Sequence, residues 1–164
     1  MIRFLRSSLR GDNRGAALIE LALAMPFLAA LVIGMTDLSR AFSMKLQLEQ
    51  AAQRAIEKVE QQRSVSTDYS TLSTEATSAA TTAGFSSSTA TVDYWLECNG
   101  TRQGDGTAGN GFNNSCPNAT DTTARYVTVN ISSDYSPLFA STAWPGANAN
   151  GTVTLTGKAG VRIQ

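Results

Sequence analysis

The stretch from Arg14 to Pro26 reads Arg-Gly-Ala-Ala-Leu-Ile-Glu-Leu-Ala-Leu-Ala-Met-Pro, and it decides the organisation of the chain. It opens an apolar run, residues 16–35, in which Glu20 is the only ionisable side chain. At about 1.5 Å per residue such a helix spans roughly 30 Å, the thickness of the hydrocarbon core of a bilayer. The stretch therefore predicts one transmembrane helix.

The charges on either side of this span differ. Residues 1–15 carry four arginines and one aspartate, a net charge of +3, whereas residues 36–50 are neutral. Basic residues collect on the cytoplasmic side of membrane helices. We therefore expect the N-terminus in the cytoplasm and everything after residue 35 outside it.

Three interpretations of the span remain open. A secretory signal cut after Ala24 has a small-x-small site, but it would leave Met25 to Met35 as an apolar N-terminus. An uncleaved signal anchor explains the charges and the length but gives Glu20 no role. In the third interpretation, residues 1–15 are a pilin-type leader that is cut between Gly15 and Ala16 on the cytoplasmic side.

The third interpretation gives Glu20 a role in assembly. A carboxylate near mid-membrane costs on the order of 3 kcal/mol. Cleavage would create an ammonium on Ala16, one helical turn away in the same chain or on a neighbouring subunit. Pairing with a neighbour would offset the cost and fix the axial stagger between subunits. Pro26 would be either a programmed kink or a tolerated transmembrane proline.

The helical pattern continues beyond the membrane through residues 36–63. Apolar residues recur at spacings of three and four, which predicts an amphipathic extension and one helix of roughly 70 Å in all. The residues of this face are Ala41, Met44, Leu48, Ala51, Ala52, Ala55, Ile56 and Val59. We expect the face to pack on the rest of the same chain.

The remaining residues favour β structure. Residues 64–88 are predicted to be a linker with a short helix over Thr71–Ala83 and Gly84 as its C-cap. In residues 89–164 apolar and polar residues alternate over Thr89–Cys98, Arg125–Ser133 and Thr152–Ile163, which indicates strands. Val153, Leu155, Val161 and Ile163 are the expected core residues of the last strand. We predict an α+β protein, in which three or four antiparallel strands pack on the upper half of the helix.

Composition limits the chemistry of this head. Cys98 and Cys116 are the two cysteines, and outside the cytoplasm they predict a disulfide worth roughly 3 kcal/mol. There is no His, and no nucleophile and base are brought together in sequence, so we expect no enzyme. The Gly/Asn-rich loop Asn99–Asn114 is either a calcium site, for which its acid count is low, or an ordinary flexible or knob-like loop; we favour the ordinary loop and expect no metal or cofactor. A formal net charge of zero gives no case for nucleic acid.

The run Gly15–Pro26, with Gly34, Asp37 and Arg40 downstream, resembles the TadE-like proteins of the tight-adherence (Flp-type) pilus. The family pattern is a glycine, an acid five residues on, an apolar helix with a mid-helix proline and a later glycine, then an acid followed by a base. An aromatic usually follows the acid, where this chain has Leu21. The resemblance is sharp over residues 14–59 and covers about a quarter of the chain.

The resemblance implies a type IV pilin-like fold and a minor pilin or pseudopilin that primes or tips an adhesive pilus. It implies a prepilin peptidase that cuts after Gly15, and partners among other pilin subunits and the inner-membrane assembly machinery. The expected location is the bacterial inner membrane, with one pass through the bilayer and a periplasmic head, or the fibre after assembly. The extra hundred residues argue for a minor or tip subunit, because major subunits are little more than the helix. The alternative is an uncleaved, signal-anchored binding module.

Overall fold

In a computed structural model of the chain, the structure describes residues 14–62, 69, 71–85, 87–138 and 146–164. Most of the predicted leader, most of the stretch 63–70 and residues 139–145 lie outside these residues. The chain divides into two compact units, Met1–Ser39 and Arg40–Gln164. This division falls four residues after the predicted end of the transmembrane span.

Helix α1 runs over Arg14–Gln62, a total of 49 residues, and passes through the division between the units. Its sequence is rich in Ala, Leu, Glu and Gln, which are strong helix formers. Within the second unit, the face predicted from the 3-4 spacing is the one that packs. Leu48, Ala51, Ala52, Ala55, Ile56 and Val59 are buried, and Ala41 and Met44 are half-buried.

Helix α2 covers Leu72–Thr82, inside the range predicted for it. Its end is a Schellman motif, in which the N–H of Phe85 donates to the Ala80 carbonyl and the N–H of Gly84 donates to that of Thr81. Gly84 has φ +100°, a conformation that favours glycine. Gly84 therefore ends the helix, as predicted, but it does so from the position after the C-cap, which is Ala83. The apolar side of α2 is buried through Leu72, Ala76 and Ala80.

Four strands form one antiparallel sheet in the order β2-β1-β3-β4. Strand β1 is Ser88–Cys98, β2 is Thr101–Arg102, β3 is Thr123–Tyr135 and β4 is Val153–Arg162. The three long strands lie where alternation predicted them, within two residues at each end. The two-residue β2, which the sequence pattern missed, pairs with the end of β1. The predicted α+β architecture, a long N-terminal helix followed by a small antiparallel head, is confirmed.

The core of the second unit lies between one face of the sheet and helices α1 and α2. Val127, Val129 and Ile131 of the central strand β3 are fully buried, as their alternation with polar residues predicted. The edge strand β4 contributes less to the hydrophobic core than expected. Leu155, Val161 and Ile163 are only half-buried against the core, and Val153 is half-buried outside the core cluster.

Gly157 in β4 lies where α1 crosses the sheet. A Cβ built on Gly157 would lie 2.5 Å from the carbonyl oxygen of Leu48, which belongs to the helix backbone. Real Cβ atoms do not approach backbone atoms so closely, so only glycine permits this crossing. The register opposes Gly157 to Ile131, in the middle of the buried part of β3.

The loop between β2 and β3 is fixed to the head at several points. A disulfide joins Cys98 to Cys116, as predicted. Phe112, at the centre of the loop, is 1% exposed and meets the rings of Tyr69 and Tyr94 edge-to-face, with ring centroids 5.7 and 5.2 Å away. Edge-to-face aromatic pairs add stabilisation beyond the area they bury. Sequence reasoning treated this stretch as a surface loop and missed Phe112 as a core residue.

Arg125 provides a further attachment for the loop. Its guanidinium is buried and donates from Nε to the Phe112 carbonyl and from Nη2 to the Asn114 carbonyl, both at 2.9 Å. Its Nη1 donates to Oε1 of Gln164. Hydrogen bonds from a charged donor are stronger than neutral ones. The loop is therefore held from β3 as well as from the disulfide.

Candidate functional site

The residues predicted to control processing and assembly lie at the start of α1. Gly15 and Ala16 are the second and third residues of the helix, and Glu20 follows one turn after Ala16. All three are exposed. Because residues 1–13 lie outside the described residues, the structure describes only the last two residues of the predicted leader. Cleavage between Gly15 and Ala16 stays a prediction.

Pro26 lies inside α1, and the helix continues on both sides of it. Proline has no N–H to donate to the Ala22 carbonyl, so one hydrogen bond of the helical ladder is missing here. The helix is therefore weakened at one point within the apolar run. A role of Pro26 as a programmed kink during assembly stays a prediction.

The apolar run is exposed, apart from the half-buried Gly34. None of its most apolar window is buried, and Leu23 and Phe27 are 70% and 78% exposed. Among the described helices, α1 alone is long and apolar enough to cross a membrane by length and composition. Within this run, Glu20 is the single carboxylate. An acid on an otherwise apolar, uncovered helix is a functional candidate, because lipid opposes its charge.

Asp37, just beyond the apolar run, contrasts with Glu20. Its side chain is fully buried, whereas that of Glu20 is exposed. Arg40, the basic residue that follows Asp37 in the family pattern, is exposed. The two acids of the pattern therefore have different surroundings in this chain, and only Glu20 is open to a partner from another molecule.

An exposed apolar stripe continues up the helix beyond Met35. Leu38, Phe42 and Leu46 follow one another at intervals of four, with exposures of 62%, 61% and 42%. Residues at this spacing lie above one another on one side of a helix. Lys45 and Glu49 are paired on the same stretch, with Nζ 3.9 Å from Oε1. Sequence reasoning concentrated on the buried face and missed this stripe, although the spacing of four was visible.

The acids of the head loop are engaged within the loop itself. Asp105 accepts a hydrogen bond from the backbone N–H of Thr107 at 2.9 Å, and this bond holds the pKa of the Asp105 carboxyl below its usual range. Asp121 accepts from the side chain of Asn99 and from the backbone N–H of Asn118. Among the described residues, no three His, Cys, Asp or Glu side chains are grouped as metal ligands. These acids close turns of the loop.

The outer face of the sheet carries one ordered cluster. The rings of Trp95 and Tyr126 are stacked, 5.4 Å apart, and the Arg102 guanidinium lies 4.9 Å from the Trp95 ring. Asp93 holds Arg102 through two hydrogen bonds of 2.8 Å. The Trp95 ring thus contacts both the Tyr126 ring and the Arg102 guanidinium. We interpret this cluster as a structural contact that pins β2 to the sheet.

These features define a class of protein: a small α+β head on a long N-terminal helix that is compatible with single-pass membrane anchoring. Residues 15–56 match the family model described as TadE-like protein, about a quarter of the chain. The match includes Gly15, Glu20 and Pro26 and confirms the resemblance to that family. The family suggests an association with tight-adherence pili and with pilus proteins, and it is not known for catalysis.

The head beyond residue 56 lies outside the family match. No curated protein and no solved structure matches the chain.

Proposed function

We propose that this chain is a minor pilin or pseudopilin that takes part in the assembly of a tight-adherence type IV pilus and thereby in surface attachment. The observation that carries the proposal is the uncovered carboxylate of Glu20 inside an apolar helix that matches the TadE-like family. A helix of this kind is costly as an isolated membrane anchor and favourable in a bundle of like helices, where the acid has a cationic partner.

In this proposal, a prepilin peptidase removes the leader between Gly15 and Ala16. Before cleavage, the precursor resides in the inner membrane with its N-terminus in the cytoplasm and its head in the periplasm. The new Ala16 ammonium then pairs with Glu20 of a neighbouring subunit. Pro26 lets the helix adjust locally as it enters the bundle, because the turn before it already lacks one hydrogen bond.

The size of the head supports a minor role over that of the main fibre subunit. Residues 88–164 hold a complete sheet and a loop fixed by the disulfide and by Arg125. Such a head would be bulky if repeated along a thin fibre made largely of helices. A subunit that starts the fibre or sits at its tip carries it without that restriction, and the fixed loop is then available for contact.

Deletion of the gene tests this proposal. We expect cells without the chain to lose surface pili and attachment, because a priming subunit is needed in few copies but at an early step. Electron microscopy and the amount of pilin sheared from the surface are the measurements, and complementation with the intact gene is the control. A deletion strain with normal pili and normal attachment would instead favour the signal-anchored binding module.

A further inference from the structure

The first half of strand β1 has an open edge. On the side away from β3, strand β2 pairs with only the last two residues of β1. Next to that pair, two N–H groups of the following loop donate to the carbonyls of Leu96 and Tyr94, at 2.8 and 2.7 Å. Among the described residues, no backbone group outside β3 is hydrogen-bonded to residues 88–92. Five residues of strand, roughly 17 Å, therefore have one unpaired side.

The backbone groups of this open edge point outward at regular intervals. The N–H and C=O groups of successive strand residues alternate between the two sides of the strand. Leu96 and Tyr94 use the outer side, and the register of β1 with β3 is unbroken, so Val92, Ala90 and Ser88 also point outward. The Ser88 Oγ is buried and has no hydrogen-bond partner in the part of the chain that the structure describes. An open strand edge of this kind is a template for pairing with another chain.

A groove of about 590 Å³ lies between this edge and helix α2, and its volume is typical of a ligand site. On the strand side it is lined by the first residues of β1, Ser88 to Ala90. On the helix side it is lined by Ser73, Thr74, Thr77, Ser78, Thr81 and Thr82. Apart from Ala90, every lining residue carries a hydroxyl, and none of them is charged. The groove is therefore polar and neutral.

We propose that this groove binds an extended, uncharged peptide segment of another protein, which pairs with β1 as an added strand in line with β2. The outward groups of β1 recur every two residues, about 6.8 Å, which is the repeat of an extended peptide backbone. This match favours a peptide over a saccharide, and strand addition to an open edge is a common mode of peptide recognition. The inference goes beyond the proposed function and needs only the head of the protein.

The hydroxyls of α2 determine which side chains of the segment fit. Thr77, Thr81 and Thr82 each donate to the backbone carbonyl four residues earlier, at 2.8, 2.9 and 2.9 Å. Their protons are thus used within the helix, and their oxygens are left as acceptors. Side chains of the segment that face α2 should therefore be donors, namely Ser, Thr, Asn or Gln.

The charges beside the groove are already paired. Glu75, the one charged residue of α2, forms an ion pair with Lys58. Asp93, the acid of β1 nearest in sequence to the groove, holds Arg102 at 2.8 Å. A charged segment would lose hydration without gaining a counter-charge, so a neutral segment is expected.

Binding of the full-length chain, in detergent micelles, to an array of short, random, acetylated and amidated peptides tests the proposal. We expect the retained peptides to be uncharged, with Ser, Thr, Asn or Gln at every second position. Ala90→Pro should weaken their binding about tenfold, because proline removes an outward N–H and blocks strand addition. Thr156→Pro is the matched control on the edge strand β4. The N–H of Ile163 donates to Arg125 of β3, so alternation turns that of Thr156 outward.

Two further measurements keep the test valid if Ala90→Pro disturbs folding, which urea unfolding reports. Thr81→Val removes a hydroxyl acceptor of the groove, keeps the shape of the side chain and leaves β1 intact, and it should weaken binding several-fold. In the wild type, a retained peptide at saturation should slow hydrogen exchange at the amides of Ala90 and Val92 several-fold. The amide of Thr156 should exchange as it does without peptide.

Several results would overturn the proposal. These are an array that retains no peptide, retained peptides that are charged or apolar, and binding that a folded Ala90→Pro variant and Thr81→Val both leave unchanged. Dextran, a neutral polysaccharide, is tested in parallel. Dextran binding that Thr81→Val abolishes, without slower exchange at Ala90 and Val92, would assign the groove to saccharides instead of a peptide strand.

Discussion

Replacement of Glu20 by alanine is expected to leave the chain in the membrane and to exclude it from pili. The apolar run gains hydropathy, so insertion and leader removal should proceed as in the wild type. Assembly should fail, because the ammonium of Ala16 on the adjacent copy loses its counter-charge in the bilayer. A loss of about 3 kcal/mol per contact, the cost of an unpaired charge there, lowers association about a hundredfold.

The measurement is the ratio of this chain in sheared pili to the chain in membranes, determined by immunoblot. Glu20→Gln separates charge from shape, because it keeps the size of the side chain and removes the negative charge. Glu57→Ala is the matched control, an exposed acid of the same helix far from the apolar run. Incorporation of Glu20→Ala at the wild-type ratio would show that the carboxylate has no part in assembly.

Substitution of Gly157 by alanine is expected to destabilise the head strongly. The added methyl group would lie 2.5 Å from the Leu48 carbonyl oxygen, and a clash with helix backbone cannot be relieved by a rotamer change. Helix and sheet would have to separate along their whole contact. Overpacking typically costs up to about 3 kcal/mol, a large part of the stability of a domain this size.

Urea unfolding of the full-length chain in detergent, followed by tryptophan fluorescence, measures this effect. We expect a clear fall in the midpoint for Gly157→Ala. Thr156→Ala is the matched control, since this neighbour in β4 is exposed and its substitution should change stability by about 0.5 kcal/mol or less. Equal midpoints for Gly157→Ala and the wild type would contradict the close crossing of α1 and β4.

The features that could be predicted from the sequence are those that produce a local periodicity of apolar residues. The 3-4 spacing gave the packed face of α1 from Leu48 to Val59, and alternation gave the three long strands, including the buried Val127, Val129 and Ile131. These patterns are local because a helix or strand repeats its environment every few residues. The disulfide was predicted from the number of cysteines and from their expected position outside the cytoplasm.

The features that sequence missed depend on contacts between distant parts of the chain. Phe112 lies in a Gly/Asn-rich loop, and its burial depends on Tyr69 and Tyr94, which come from two other segments. Gly157 in β4 resembles any strand glycine until the helix is placed on the sheet. The strand order was open for the same reason, because alternation fixes which residues share a face but leaves the partners of a strand undecided.

The candidate site divides in the same way. Gly15, Glu20 and Pro26 follow from a short local pattern, so sequence suffices to name them. The stripe from Leu38 to Leu46 could be recognised only when the packed side of α1 was known. The sequence alone does not tell which apolar residues of a helix are buried by its own chain and which are exposed. The exposed side of α1 is the side that a neighbouring molecule can contact.

The mass of the N-terminal peptide of the chain isolated from its native cells tests the central claim most directly. A leader removed by a prepilin peptidase predicts a mature chain that begins at Ala16, with its free amine next to Glu20. A chain that begins at Met1 or at Met25 would contradict the claim, since neither form places an ammonium one turn from that carboxylate.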